Sequence, residues 1–324
     1  MQSTDHYRTA FTSYLDNKIL ISEPRNLYEP IAYILNLGGK RLRPVLTLMA
    51  TEIFDVDYKR ALDAALAIEV FHNFSLVHDD IMDAAPLRRG KATVHQKWDV
   101  NTAILSGDAM LITAYQLFEN YAPDTFRDLA KLFSTTALQV CEGQQYDIDF
   151  ETRDDVTLPE YMMMVQYKTA VLVAAALKMG AIIAAASEQE QNRIYAFGLN
   201  LGIAFQLQDD YLDAFGDPKT FGKQVGGDII ENKKTVLYLN VHKDGNDKQK
   251  KELLDLYSIQ PKNPSIKIDS VKDLFLDSGA AERTQIAISD YTEKAFAILE
   301  TMDISEDKKK VLRGFGKQLM ARKV

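Results

Sequence analysis

Six aspartates in two matching five-residue patterns carry the strongest chemical signal in this 324-residue chain: Asp79-Asp80-Ile81-Met82-Asp83 and Asp209-Asp210-Tyr211-Leu212-Asp213. Positions i and i+4 share a helix face, so Asp79 pairs with Asp83 and Asp209 with Asp213. Carboxylates at that spacing repel unless a cation lies between them. Two such pairs facing each other would hold hard cations. Oxygen donors without histidine or cysteine at ligand spacing favour Mg²⁺ over zinc or copper. One such pattern alone reads equally well as a solvated, aspartate-rich helix end. Two, each set into apolar sequence (Leu76 and Val77; Leu207, Tyr211 and Leu212), mark a site.

Basic residues gather in three places: Lys40, Arg41 and Arg43 after Gly38-Gly39; Arg88 and Arg89 just beyond the first acidic pattern; Lys223 and Lys233 beyond the second. Each cluster alone reads as a solvated basic face. Beside two candidate Mg²⁺ sites in an acidic protein of net charge −8, they read as phosphate ligands. Gly38-Gly39 would let the backbone approach an anion closely. The combination points to a bound diphosphate.

The elements that must position these residues are helices. Alanine and leucine abound, β-branched runs are few, and nine prolines and sixteen glycines punctuate the chain. Helical spacing is expected over His6–Ile21, Tyr28–Leu37, Val45–Phe54, Ala61–His78, Asn101–Tyr121, Phe126–Tyr146, Leu158–Ser187 (one or two helices), Gln189–Phe215, Lys233–Val241, Leu274–Met302 and Lys308–Lys323. A long loop is expected over Ala84–Lys97 and an acidic loop over Asp147–Asp155. Glycine-rich and polar connections are expected over Phe215–Asp228 and Pro261–Lys267, and Lys243–Lys251 reads as exposed. With no repeat and no linker, residues 1–324 are expected to form one domain, a large all-α bundle of ten or more helices.

The acidic balance argues against a broad nucleic-acid surface. Cys141, the only cysteine, excludes an intramolecular disulfide and a thiolate cluster, fits a reducing cytoplasm, and is expected to be an inert buried thiol. No signal-like segment opens the chain. The longest apolar run, Ala170–Ala186, is interrupted by Lys178 and reads as a core helix rather than a membrane span. Tyr161 and Met162 to Met164 read as core, Trp98 as an anchor, and His78 as a packing residue. His6, His95 and His242 have no evident partner.

Ordered blocks along nearly the whole chain resemble the trans-type isoprenyl diphosphate synthases, or polyprenyl synthetases. They are Gly38-Gly39-Lys40-Arg41-Leu42-Arg43-Pro44; Glu69 with His72 and Ser75-Leu76-Val77-His78-Asp79-Asp80; Arg88-Arg89-Gly90; Gly143-Gln144 with Asp147; Lys168-Thr169; Phe205-Gln206 leading into Asp209–Asp213; Gly222-Lys223; Gly226-Gly227-Asp228-Ile229; and Asn232-Lys233. The resemblance implies the isoprenoid synthase fold, helices around a central cavity, and commonly a homodimer. It implies three Mg²⁺, two on Asp79 and Asp83 and one on Asp209, with Asp80, Asp210 and Asp213 in support. With Arg88, Lys168 and Lys233, these would hold the diphosphate of an allylic substrate. Lys40, Arg43, His72 and Arg89 would bind the diphosphate of isopentenyl diphosphate. Thr169 and Gln206 would lie near the reacting carbons and Lys223 would close the site. Gln144 would join the substrate-binding residues, although Glu142 stands two residues before it, where the family commonly has a small residue. Ala84-Ala85 depart from the polar residues the family often has there.

Neutralising the departing diphosphate would let the allylic C–O bond ionise, and the isopentenyl double bond would then attack the cation. In the family the diphosphate is thought to take the proton that is lost. Ser75 lies about 6 Å and Phe74 about 7.5 Å down the helix axis from Asp79, with Phe71 about 12 Å down. By analogy with the family, a small Ser75 beside an aromatic Phe74 suggests a C20 more than a C15 product. A non-catalytic partner subunit is disfavoured because all the acidic and basic residues are kept. A terpene cyclase usually lacks the second acidic pattern and the Gly-Gly-Lys block. A di-iron bundle would need a second Glu-x-x-His besides Glu69–His72.

Overall fold

The computed structural model describes residues 1–19, 21–217 and 225–321. Lys223 and the Gly222-Lys223 block fall outside them, as do Arg322 and Lys323. Among the described residues every regular element is helical apart from one two-residue pairing, so the chain is all-α as its patterning implies. The helices pack as two compact units: Met1–Thr135 with Ala175–Asn192, and Thr136–Ala174 with Arg193–Val324.

The first unit contains α1 (Thr4–Lys18), α2 (Arg25–Asn36), α3 (Leu42–Ile53), α4 (Leu62–Met82), a short hairpin of β1 (Leu87–Arg88) and β2 (Lys91–Ala92), α5 (Val94–Lys97) and α6 (Val100–Gln116). It also takes the start of α7 (Pro123–Thr152). Helix α4 is alanine- and leucine-rich and buries Ala64, Ala65, Ala67, Ile68, Phe71, Phe74 and Val77, so its interior side is nearly continuous. Phe71 meets Phe133 edge-on at 5.1 Å, and Phe133 in turn meets Phe118 at 5.2 Å and Tyr115 at 4.7 Å. Buried aromatic pairs of this kind add about 1 kcal/mol each beyond their area. The helix runs through Asp79 and Asp80 to Met82 and is capped at Asp83, one turn past the expected end at His78.

The second unit takes the rest of α7, then α8 (Leu158–Val165), a π-turn at Gln166–Ala170, and the start of α9 (Val171–Ile183). It continues through α10 (Glu188–Phe215, from Arg193 onward), α11 (Gly227–Ile230), α12 (Val236–Asp244), α13 (Asp247–Tyr257), α14 (Ser265–Asp277), α15 (Ala280–Glu300) and α16 (Glu306–Met320). Its core joins Phe150, Tyr161, Met164, Leu207, Leu237, Leu239 and Phe275.

Several expectations are corrected. Asp147 to Thr152 are helical rather than loop: the ammonium of Lys234 collects carbonyls at the end of α7 (Phe150 O at 3.1 Å and Glu151 O at 3.5 Å) and the Arg153 carbonyl just beyond it. A lysine on terminal carbonyls satisfies groups the helix leaves open. The expected single helix over Leu274–Met302 is two, α14 and α15, separated where Gly279 takes φ +73°. The loop Ala84–Lys97 contains the β1–β2 hairpin, whose central Arg89 and Gly90 both have positive φ. That is a type I′ turn, and a non-glycine residue is held in it at some cost. The continuous helical stretch Leu158–Ile183 is long and apolar enough to cross a membrane by length and composition, but 72% of its apolar window is buried within the protein. Cys141 is exposed, not buried: it lies one residue past buried Val140, about 100° round α7 from that face. Partial burial and then the charge of Glu142 still push its thiol pKa up, which keeps it unreactive.

Candidate active site

The first unit gathers cations around His72. Arg41 enters α3 with a left-handed backbone (φ 48°), after Gly38 and Gly39 at φ 81° and 123°. Arg41 itself is almost fully buried; its Nη1 donates to Glu69 Oε1 at 2.5 Å and its Nη2 to Leu35 O. Glu69 is thereby committed to an arginine, which removes it as an iron ligand and with it the di-iron reading. Arg89 reaches back from the hairpin and donates from Nη1 to Gly38 O. A Cβ on Gly39 would lie 2.8 Å from its Cζ, so only glycine admits the guanidinium there.

Burial and then the Arg43, Arg89, Arg88 and Arg41 charges hold the His72 imidazole well below its ordinary pKa, so it is neutral. Burial lowers Arg43 to about 10, with Glu69 opposing and Arg89 adding to the effect. Burial also lowers Arg89. The Arg43 Nε is buried with no hydrogen-bond partner among the described residues. This is an anion site in its chemistry: several cations crowd one another, and an anion would relieve them. Lys40 lies at its exposed edge.

The first acidic pattern follows on α4. Arg88 of β1 donates from Nε and Nη2 to Asp80 Oδ1 at 2.9 and 2.5 Å, and its Nη2 is 3.8 Å from Asp79 Oδ2. Asp80 is 1% exposed; burial raises its pKa and Arg88 opposes the rise. Its Oδ2 is buried with no hydrogen-bond partner among the described residues. Below the pattern, the Ser75 hydroxyl donates to His72 O at 2.9 Å. Phe74 is packed between Phe71 and His78, with ring centroids at 5.4 and 4.7 Å. His78 packs as expected, with Nε2 3.3 Å from Ile104 O.

In the second unit the π-turn places Lys168 and Thr169. Such single-turn widenings occur frequently at functional positions. Gly143 on α7 makes the close approach possible, since a Cβ there would be 2.2 Å from the Lys168 backbone nitrogen. Lys168 Nζ pairs with Asp147 Oδ2 at 2.5 Å. In the sequence Asp147 reads as a loop residue with no assigned role; its i+4 distance from Gly143 on one helix is the available signal. The Gln144 Nε2 is buried without a hydrogen-bond partner among the described residues.

On α10, Thr169 Oγ1 donates to Gln206 Oε1 at 3.1 Å, and Gln206 Nε2 donates to Asp210 Oδ1 at 2.9 Å. Tyr161, core by its sequence, is 3% exposed, yet its hydroxyl donates to Asp210 Oδ2. Burial, then the charge of Asp228, pushes the Asp210 carboxyl up to about 8. Burial and the Asp210 charge raise the Tyr161 hydroxyl well above its usual range. Asp213 Oδ2 accepts from the Asp228 backbone N–H at 3.0 Å at the start of α11. Burial pulls the Lys233 ammonium down, but Glu231 (3.1 Å), Asp228 and Asp147 more than offset this and leave it raised. Asn232, in left-handed conformation, is held by the nearly fully buried Lys267. Asp209, next to Asp210, is half-buried on the same helix.

Among the described residues no three carboxylate, imidazole or thiol groups lie close enough to close a metal site alone. The carboxylates of Asp79 and Asp83 at the end of α4 fit Mg²⁺, which keeps several waters and takes one or two carboxylates together with substrate phosphates.

The polyprenyl synthetase family model matches residues 24–274. The chain belongs to that family and is an enzyme, a trans-prenyltransferase. Among curated relatives, it is 37% identical to a geranylgeranyl pyrophosphate synthase of Geoglobus acetivorans over 285 residues, covering 87% of each chain. It is 39% identical to a geranylfarnesyl diphosphate synthase of Natronomonas pharaonis over 272 residues, covering 76% of this chain and 80% of the relative. A crystal structure of a geranylgeranyl pyrophosphate synthase is 56% identical, with a TM-score of 0.96 and full coverage of both chains.

Proposed function

We propose that this prenyltransferase condenses isopentenyl diphosphate head-to-tail with an allylic diphosphate (dimethylallyl, geranyl or farnesyl) to give a short-chain trans-prenyl diphosphate, C20 in preference to C15. The observation that carries the reading is the anion site of Arg43, Arg89 and His72, in which the buried Arg43 Nε has no hydrogen-bond partner among the described residues, in the same unit as the aspartates of α4. A neutral imidazole can donate a hydrogen bond to a diphosphate oxygen while the guanidinium groups neutralise it. Lys40, Arg43, His72 and Arg89 are assigned to the diphosphate of isopentenyl diphosphate. Arg88, Lys168 and Lys233 are assigned to the allylic diphosphate, whose departure they stabilise. Gln144, with a buried amide still lacking a partner among the described residues, is placed with this set.

Three Mg²⁺ are assigned to the family's positions: two to Asp79 and Asp83 and one to Asp209, with Asp80, Asp210 and Asp213 holding the shape of the two patterns. When bound, Mg²⁺ supplies further neutralisation of the leaving diphosphate. Thr169 and Gln206 offer oxygens near the reacting carbons. Lys223 keeps its expected closing role and lies outside the described residues. Ser75, Phe74 and Phe71 are assigned to the floor of the product cavity, and relatives named for geranylgeranyl and geranylfarnesyl products support a floor set deep. We also propose a cytoplasmic homodimer. Helix α6 leaves Val100, Ile104, Leu105 and Ile112 exposed, an apolar surface a second copy could cover.

The test is incubation of the purified protein with Mg²⁺, isopentenyl diphosphate and each allylic primer in turn, reading product mass. A C20 diphosphate is expected, and no condensation with any primer would overturn the reading.

A further inference from the structure

Thr169, Gln206, Asp210 and Tyr161 form one unbranched chain of hydrogen bonds in which every donor points toward Asp210. Asp210 Oδ1 accepts from Gln206 in either ionisation state, so when the carboxyl carries a proton it lies on Oδ2 and the Tyr161 hydroxyl then accepts it instead of donating. An oxygen without a proton only accepts, and Oδ1 thereby dictates how its neighbours orient. With Nε2 turned to Asp210, the Gln206 amide must turn Oε1 to Thr169. The Thr169 hydroxyl proton is then spent on Gln206, and its lone pairs are left over. Both groups therefore present oxygen, the negative end of their dipoles. A site that must stabilise a carbocation needs that polarity, and the reverse arrangement would oppose it.

We infer that Tyr161 is a positioning residue for the condensation step: by holding Asp210 Oδ2 it keeps Oδ1 committed to Gln206, so that Gln206 and Thr169 present oxygens rather than N–H or O–H protons to the allylic cation. This rests on the reaction proposed above. The hydroxyl is the second partner of a buried carboxyl whose other oxygen already serves Gln206. Without it, Oδ2 lies bare in the core. Such a group recruits whatever partner is nearest, here the Gln206 amide or the Thr169 hydroxyl. Either rearrangement disturbs the ordered polarity at the reacting carbons while leaving the diphosphate-binding residues untouched.

The experiment is a double-mutant cycle of Tyr161→Phe and Gln206→Ala, read as kcat, KM for both substrates, and the fraction of allylic diphosphate lost as allylic alcohol. Tyr161→Phe alone is expected to lower kcat about tenfold, leave both KM values within about twofold, and raise the alcohol fraction. Once Gln206 is alanine, Tyr161→Phe is expected to change kcat no further. A tenfold loss that repeats in the Gln206→Ala background, or a loss confined to KM, would overturn the inference and leave Tyr161 a packing residue. If Tyr161→Phe does not fold, Tyr161→Leu, which also removes the hydroxyl, takes its place in the same cycle with the same criteria. A wild-type protein that fails to condense would sink the proposed reaction and this inference together. An active wild type with additive losses would sink only the inference.

Discussion

The two acidic patterns share five positions of spacing, and their second aspartates are both nearly buried, yet they are stabilised in opposite ways. Asp80 is held by a cation, Arg88, which arrives on a hairpin and approaches Asp79 as well. Asp210 is held by two neutral groups, Tyr161 and Gln206. In both, burial pushes the carboxyl pKa up. At Asp80 an arginine opposes the rise, while at Asp210 the neighbouring charge of Asp228 adds to it. One motif in sequence thus serves as two devices: a charge-paired junction on α4 and a hydrogen-bond sorter on α10. The pattern alone specifies where carboxylates lie, and the neighbours decide what the middle one does.

The largest effects should come from what the patterns share. Asp79→Asn and Asp209→Asn are each expected to lower kcat at least about a hundredfold, roughly 2.7 kcal/mol of barrier, with the fold retained by circular dichroism. Full activity in either would refute its metal assignment. The next effect separates the patterns. At about pH 5, Arg88→Ala strands a buried carboxylate and should cost roughly 3 kcal/mol in urea unfolding, whereas Asp210→Asn should cost within about 1 kcal/mol. Equal costs would erase the distinction between them.

A subtler effect lies in pH. Native Asp210 keeps its proton up to about 8. An unfolded aspartate loses its proton near about pH 4, so the native state binds the extra proton in the interval and stability falls as pH rises through it. Asp210→Asn should therefore gain stability relative to wild type from about pH 5 to about pH 8 and no more above that. A pH-independent difference in melting temperature would contradict the assignment. The smallest effect concerns α4 alone: Ser75→Phe should shorten the main product by one isoprene unit with little change in kcat, and an unchanged product distribution would remove Ser75 from the cavity floor.

The all-α class, the order of the helices, and the aspartates and arginines are legible in the sequence, since each rests on periodicity or on residue types at short spacing. What is not legible depends on distant partners. Asp147 reads as loop because its run is acidic, and it is helical because Lys234, 84 residues beyond Phe150, caps the carbonyls at the end of the helix. Tyr161 reads as core beside three methionines, and its ring is core; only its hydroxyl makes a polar contact, and its acceptor lies 49 residues away. Arg41 reads with Lys40 and Arg43 as a phosphate ligand, but its partner is Glu69 inside the protein. The break at Gly279 is a signal the residues do carry, since glycine just after a helical run is a common stop. The Arg89-Gly90 turn is harder, because the usual sign for such a turn is asparagine or aspartate before glycine.

The π-turn at Gln166–Ala170 has a consequence for how this stretch can change over time. A widened turn amounts to one residue too many for an α-helix, so the stretch counts residues in a different frame on either side of it. Removing one residue within it would return the stretch to regular winding and leave the faces on either side where they are, at the cost of the local geometry that sets Lys168 and Thr169. Removing one residue from the regular turns of α8 or α9 would instead rotate everything beyond by about 100°. Between Tyr161 and Ile183 the π-turn is therefore where a change of length is absorbed, and in the regular turns on either side substitution is the open route for variation.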